Sequence, residues 1–348
     1  MPPTPAPDLL GISLTELEAL VVSSGHAVPD ARNVWRLVFR DLVTDFSMMP
    51  SLPKGLRQYL TQNISFEIPR TIATTEDPHG GGRKDLLELD DGAQIEVVLL
   101  RYRQRYSVCI STQVGCACSC RFCATGQTGF IRNLSAAEIV AQVLHMQRQL
   151  ASSGIVLSNF VLMGMGEPLL NYGNTLAALS ILTDPRGCAF APRRITLSTV
   201  GIIPGIRRLA GESLPINLAI SLHAATDELR SHLVPVNRQY PLADLVAAAR
   251  EFTKRTGRRV MFEWVMIDGV NDSREQASKL VELVDDMPCH INLIRLNPTE
   301  RYHDNSPSDE VIEAFTRVLD ESAIPHTVRQ RRGTAIAAGC GQLRAQHC

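Results

Sequence analysis

Four of the chain's nine cysteines fall within eight residues, in the stretch GCACSCRFC that begins at Gly115. Thiols this close together suit a metal centre or redox chemistry more than a structural role. A closed zinc site takes four ligands, commonly two Cys-x-x-Cys knuckles or a Cys/His mixture, and no second knuckle follows downstream. A closed four-iron cluster also needs four thiolates. Cys116, Cys120 and Cys123 satisfy Cys-x-x-x-Cys-x-x-Cys and leave Cys118 over. Three thiolates on a four-iron cluster leave one iron open to a substrate or cofactor. On spacing alone, zinc binding and pure electron transfer remain the competing readings.

The elements that must position this loop read as an α/β fold. Residues 1–63 form short amphipathic helices, such as LTELEALVVSSG and ARNVWRLVFRDLV, broken at Pro50 and Pro53. Residues 64–105 look like strands, with a hairpin turn at Asp90-Asp91-Gly92 and a flexible loop at His79–Arg83. From 106 to 325, near-continuous apolar strands alternate with helices; one helix opens on the capping box Ser135-Ala-Ala-Glu138. Residues 326–348 form a C-terminal segment carrying a glycine-flanked cysteine, Cys340. Six such strand–helix units fit an open barrel of the (β/α) type, whose chemistry gathers at the C-terminal ends of the strands. That rule predicts one site from Cys116–Cys123, Gly166-Glu167, Ser198-Thr199, Ser221-Leu222-His223 and Asn297.

Bulk properties narrow the class. An odd cysteine count at irregular spacings argues against a secreted disulfide framework. The opening MPPTPAPDLL has neither a basic nor an apolar leader region, and no apolar run approaches membrane-spanning length, so a cytoplasmic protein is expected. The net charge of −1 argues against bulk nucleic-acid binding. Local arginine clusters nevertheless suit phosphate recognition: Arg101/Arg103/Arg105, Arg193/Arg194, Arg207/Arg208, Arg255/Arg258/Arg259 and Arg329/Arg331/Arg332. Taken one at a time, most read as solvated faces.

The segments CISTQVGCACSCRFCATGQTGF, VLMGMGEPLLNYGNT, RRITLSTVGIIPGIRRLA, SLHAATDELRSHLVPVNRQYPL and GCGQL resemble the RNA adenine-methylating family of radical S-adenosylmethionine (SAM) enzymes. The likeness runs from Trp35 to Leu343 and includes VTDFSMMPSLPKGLRQYL. It implies a partial (β/α)6 radical-SAM barrel with a small N-terminal helical domain for RNA and a β-hairpin extension. It also implies one [4Fe-4S] cluster on Cys116, Cys120 and Cys123, with SAM chelating the open iron. The main branch of the family methylates C2 of an adenine in 23S rRNA and in certain tRNAs; a sister branch methylates C8 of the same ribosomal adenine and confers antibiotic resistance.

The resemblance carries roles for further residues. Cys340 matches the methyl-carrying cysteine, Cys109 the resolving thiol and Glu96 the proton acceptor. A SAM-derived 5′-deoxyadenosyl radical would take hydrogen from the S-methyl group, and the resulting carbon radical would add to adenine. The protein–RNA thioether would then be released as Cys109 and Cys340 form a disulfide. Gly166 and Glu167 would hold the methionine amino group. Ser198, Ser221, Leu222, His223 and Asn297 would contact ribose, carboxylate or adenine. An electron donor such as flavodoxin or ferredoxin, a disulfide reductant and a monomeric state complete the expectation. Cys118, Cys188, Cys289 and Cys348 match no family role. Arg295 and the STVGIIP segment lean toward the C8 branch, and Arg332–Cys340 lacks the acidic residues that many C2 enzymes carry before the methylated cysteine. GEPLLN and RRITLST lean toward C2. A non-catalytic iron–sulfur RNA-binding protein is the reading from another class.

Overall fold

The computed structural model describes residues 6–102, 105–330 and 336–343. Three helices come first: α1 (Leu14–Ser23), α2 (Val28–Phe39) and α3 (Lys54–Asn63). Ser13 caps α1 by accepting from the Glu16 N–H, and Glu16 answers with a carboxylate on the Ser13 N–H at 2.6 Å. Leu14, Leu17 and Val21 then line its buried face, and Val34, Trp35 and Val38 that of α2. Arg40 fastens this unit to the barrel through the Pro185 and Gly187 carbonyls at 2.6 and 3.1 Å.

Three antiparallel strands follow: β1 (Arg70–Glu76), β2 (Gly82–Glu88) and β3 (Gln94–Arg101). The β2–β3 turn falls at Asp90-Asp91-Gly92, as the sequence predicts, with Gly92 at φ +80°. The expected flexible loop at His79–Arg83 is instead the tight β1–β2 turn. Asp77 N–H donates to Gly82 O at 2.9 Å, and Gly82 and Arg83 already belong to β2. The extension is therefore three-stranded, and β3 continues directly into the barrel sheet by pairing antiparallel with β4 (Tyr106–Cys109).

The barrel strands are β4, β7 (Asn159–Leu162), β8 (Ile195–Thr199), β9 (Asn217–Ser221), β10 (Val260–Met266) and β11 (Cys289–Arg295), all mutually parallel. Between β4 and β7 lie the small ribbon β5 (Gln113–Gly115) and β6 (Phe130–Asn133), with α4 (Ala124–Thr128) between its strands, and then α5 (Ala136–Ala151). The later crossovers are α6 (Tyr172–Thr183), α7 (Ile203–Leu209), α8 (Asp227–Leu233) with α9 (Leu242–Thr256), and α10 (Arg274–Val284). After α11 (Asp309–Glu321), a three-residue strand not read from the sequence, β12 (His326–Val328), adds a seventh parallel strand beside β11. Val108, Phe160, Ile195, Leu218, Phe262 and Ile291 are fully buried, as a parallel sheet covered on both faces requires. The fold is thus the expected α/β partial barrel. Among the described residues no helix is long and apolar enough to cross a membrane.

One buried polar network pins the extension to the barrel. Asp85 on β2 is fully buried and receives His145 Nε2 of α5 at 2.6 Å, Arg83 Nε at 2.7 Å and Thr74 Oγ1 at 2.8 Å. Burial alone would raise this carboxyl, but the three donors outweigh it and hold it below the usual range. Asp85→Ala leaves the Arg83 and His145 donors without their acceptor and should cost about 3–5 kcal/mol in urea unfolding. The loss should persist at neutral pH. In the wild type this contribution should fade only as pH falls through the lowered carboxyl range.

Candidate active site

The strand-end residues do converge. A single cavity at the C-terminal ends of the strands is lined by Gly166 and Glu167 beyond β7, Ser198 and Thr199 of β8, and Ser221 and His223 at the end of β9. Beyond β11 it meets Asn297; Cys120, Phe122 and Cys123 enter from the cysteine loop, and Cys340 and Gly341 from the C-terminal segment. A wider cleft lies elsewhere, against Asp8, Glu67 and α5, and contains no cysteine. Burial there pushes the Asp8 carboxyl up to about 6.

The cysteine loop is closed by backbone contacts that tolerate no extra atoms. Gly115, at φ +73°, brings its Cα so close to the Gly129 carbonyl that a Cβ would lie 1.9 Å from the oxygen. Cys116 N–H donates to the same oxygen at 2.8 Å. Burial and the neighbouring Cys123 and Cys116 raise the Cys120 thiol well above its ordinary range. Burial likewise raises Cys123, against hydrogen bonds from Gly126 and Thr125. Cys118 donates to Cys116, which lowers the Cys116 thiol and keeps Cys118 protonated. Among the described residues no three His, Cys, Asp or Glu side chains close on a single metal ion. A four-iron cluster asks for something different, one thiolate on each of three irons. Three mutually close thiols, two of them facing the cavity and two receiving N–H donors, fit that group.

Glu167 carries the most perturbed carboxyl of the rim. Its oxygens accept from the Leu169 and Val200 N–H groups at 3.0 and 2.8 Å, yet complete burial still pushes it up to about 7. Gly166 makes the turn possible: it sits at φ +101°, and a Cβ would meet the Gln113 side chain at 2.5 Å. His223 accepts the Val265 N–H on Nδ1 at 3.0 Å, and burial pushes it down to about 3. The ring is therefore neutral with its proton on Nε2, stacked edge-on against Phe122 at 4.8 Å. Leu222 differs from its neighbours. Its side chain is fully buried in the core and does not line the cavity.

The segment carrying Cys340 docks on the same rim. Asn297 Nδ2 donates to the Cys340 carbonyl at 3.2 Å, so part of this amide is directed at the protein itself. Ala124 N–H at the start of α4 donates to Gly341 O at 2.7 Å, and Gln342 bridges Gly339 N and Pro298 O at 3.1 and 3.2 Å. Cys340 itself is exposed. Cys109, at the end of β4, is half-buried; burial and then the adjacent Cys340 push its thiol up to about 12. Glu96 is buried on β3, ion-paired to Lys84 at 2.8 Å. Cys109, Cys116 and Glu96 do not line the cavity.

Several residues of the site escape a reading of the sequence. Glu263 and Arg329 line the cavity 3.5 Å apart, an ion pair between β10 and the segment after β12. A lone glutamate in the apolar run VMFEWVM was the available signal for the first. Arg329 read as part of an RNA-facing cluster, but it faces inward beside Cys340; Arg331 and Arg332 lie outside the described residues, as do Arg103 and Cys348. Arg193, Arg194, Arg258 and Arg259 directly precede β8 and β10, so they mark the rim opposite the site. Cys188 and Cys289 lie outside the cavity, and burial pushes their thiols up to about 12 and 11.

Comparisons with known proteins agree with this geometry. Residues 110–281 match the radical SAM superfamily, and residues 7–66 match the ribosomal RNA large subunit methyltransferase N-terminal domain. The dual-specificity RNA methyltransferase RlmN 1 of Myxococcus xanthus is 46% identical over 345 residues, covering 99% of this chain and 96% of that protein. The crystal structure of a radical SAM methyltransferase from Sphaerobacter thermophilus superposes with a TM-score of 0.95 at 45% identity, covering 98% of this chain and all of that one.

The raised Glu167 carboxyl makes a testable demand on stability. A buried acid whose pKa rises from 4.5 to about 7 on folding stabilises fully below pH 4.5, and the benefit is lost as pH rises through 7. Urea unfolding of the ligand-free protein should therefore lose about 3 kcal/mol across that window. Glu167→Gln should flatten this slope, and an unchanged slope would remove the assignment.

Proposed function

The chain belongs to the RlmN family of dual-specificity RNA methyltransferases within the radical SAM superfamily, and on that premise we propose that it methylates C2 of an adenine in 23S rRNA and in tRNA. The observation that carries this reading is the placement of Cys340 on the cavity that also receives Cys120, Cys123 and Glu167, with the Cys109 thiol beside it. Cys116, Cys120 and Cys123 would hold a [4Fe-4S] cluster, and Gly166, Glu167, Ser198, Ser221, His223 and Asn297 would receive SAM. When bound, these groups supply the methyl group, electron exchange and a carbon-centred acceptor of a hydrogen atom.

The chain's own residues do the rest. Adenine C2 is an electrophilic amidine carbon that a simple methyl-cation donor does not attack, so the methyl is first held on the Cys340 sulfur. Glu167, buried and close to half-ionised at neutral pH, becomes a full carboxylate when an ammonium group docks against it. His223 offers a fixed Nε2–H to the cavity. Glu96 takes the proton that the adenine ring must lose once it is joined to the cysteine-borne carbon. Cys109 then attacks the Cys340 sulfur: an S–S bond forms, the S–C bond breaks, and its electron pair stays with the carbon, which takes a proton and leaves as the methyl group. Before that moment burial holds Cys109 protonated. A thiol reductant restores the pair.

The N-terminal helices are the proposed RNA contacts, and a flavodoxin or ferredoxin the electron donor. Mass spectrometry of nucleosides from treated 23S rRNA and tRNA should reveal 2-methyladenosine; 8-methyladenosine alone would move the chain to the sister branch. Cys340→Ala should abolish transfer, and retained product would refute its role. Cys109→Ala should trap a covalent protein–RNA adduct stable to denaturing electrophoresis.

A further inference from the structure

Cross-strand pairing places three chemically distinct side chains on one face. Lys84 of β2 stands opposite Val98 of β3, and Val98 opposite Cys109 of β4, so the three form a single row across the sheet. Glu96 lies two residues along β3 from Val98, on the same face. Arg83 and Asp85, the neighbours of Lys84, point to the other face, where they join His145. The buried network described above therefore fixes the register that turns Lys84 toward Glu96 and Cys109.

The Lys84 ammonium reaches two partners. It lies 2.8 Å from Glu96 Oε1 and donates to the Ala337 carbonyl at 3.2 Å, three residues before Cys340. Its side chain is 16% exposed and that of Glu96 is 7%, so the pair is largely withdrawn from water. An ammonium this sheltered is retained where its charge is matched. Ala337 adopts φ +47°, a conformation an alanine holds only where its surroundings impose it.

We propose that Lys84 is a positioning residue that holds the proton acceptor Glu96 and the Cys340-bearing segment against each other during methyl transfer. This rests on the roles assigned above to Glu96 and Cys340. In the step it serves, the odd electron of the adduct goes to a one-electron acceptor, the part an oxidised iron–sulfur cluster would supply, while the ring C–H bond breaks, its electron pair restores the aromatic ring, and the proton forms an O–H bond with Glu96. Lys84 neither gains nor loses a proton. It aims the accepting oxygen and fixes the distance between that oxygen and the cysteine carrying the adduct. A lysine acting merely as a structural prop would matter for docking of the segment, hence for methylation of Cys340, and not for proton removal in particular.

The test uses the reconstituted full chain, with Lys84→Met and Lys84→Arg beside the wild type and Cys109→Ala. Peptide mass spectrometry reads S-methylation of Cys340, denaturing electrophoresis reads the RNA adduct, and nucleoside analysis reads 2-methyladenosine. Lys84→Met should methylate Cys340 within about twofold of wild type, form product about a hundredfold more slowly, and accumulate adduct although Cys109 is intact. Lys84→Arg, which keeps the charge, should recover most of the rate. Product within about threefold of wild type in Lys84→Met would overturn the proposal, as would a variant that fails already at Cys340 methylation. Should Lys84→Met not fold, Lys84→Gln carries the same test with a polar, uncharged side chain of similar length. If Cys109→Ala traps no adduct and the wild type yields no 2-methyladenosine, the roles of Cys340 and Glu96 fail first, and the proposal for Lys84 with them.

Discussion

Where β8 and β9 end, four oxygens turn toward the buried guanidinium of Arg230. Its Nη2 reaches the carbonyls of Val200 and Ser221 at 2.6 and 3.0 Å, Nε the carbonyl of Leu222 at 3.1 Å, and Nη1 the amide oxygen of Asn237 at 2.8 Å. Carbonyls just past a strand have no ladder partner, and burying them unpaired would be costly. A planar fork of five donors is the one side chain able to satisfy several at once. Burial pulls Arg230 down to about 10, so it stays cationic at neutral pH, and its charge acts on Cys120. One residue thus shapes two strand ends and partly offsets the burial and neighbouring cysteines that raise the Cys120 thiol. Ser198, Ser221 and His223 face the cavity because the backbone on which they ride is held there.

The barrel was legible because burial on both faces leaves uninterrupted apolar runs, and because turns and caps are written locally. Asp90-Asp91-Gly92 and the Ser135/Glu138 box each specify their geometry within four residues. The cysteine spacing and the small polar residues after each strand gave the site for the same reason: the rim is where a parallel sheet releases its side chains. The arginines before β8 and β10 could have been placed on the far rim.

Other features depend on information that the local sequence does not hold. The stretch TIATTE carries no apolar alternation, and only its partner β2 makes β1 a strand. Three residues are too few to announce β12. The inward direction of Lys84 is not written locally, because a strand residue's direction follows from register and a slip of one residue exchanges the two faces. β2 shows how much rests on this. With Arg83 and Asp85 on one side and Lys84 on the other, one short strand joins a structural network to Glu96 and the Cys340-bearing segment.

The sheet also has to stop somewhere. An open barrel has two free margins, and each exposed row of N–H and C=O groups invites a strand from another molecule. Here one margin is β12, only three residues long. The other has been carried outward by the extension to β1, which is irregular between Thr71 and Ala73 and flanked by the charges of Arg70 and Glu76. Neither offers a long, flat template, so the chain can leave its barrel unclosed, with room at the rim for a large polymeric substrate, without recruiting further copies into a growing sheet.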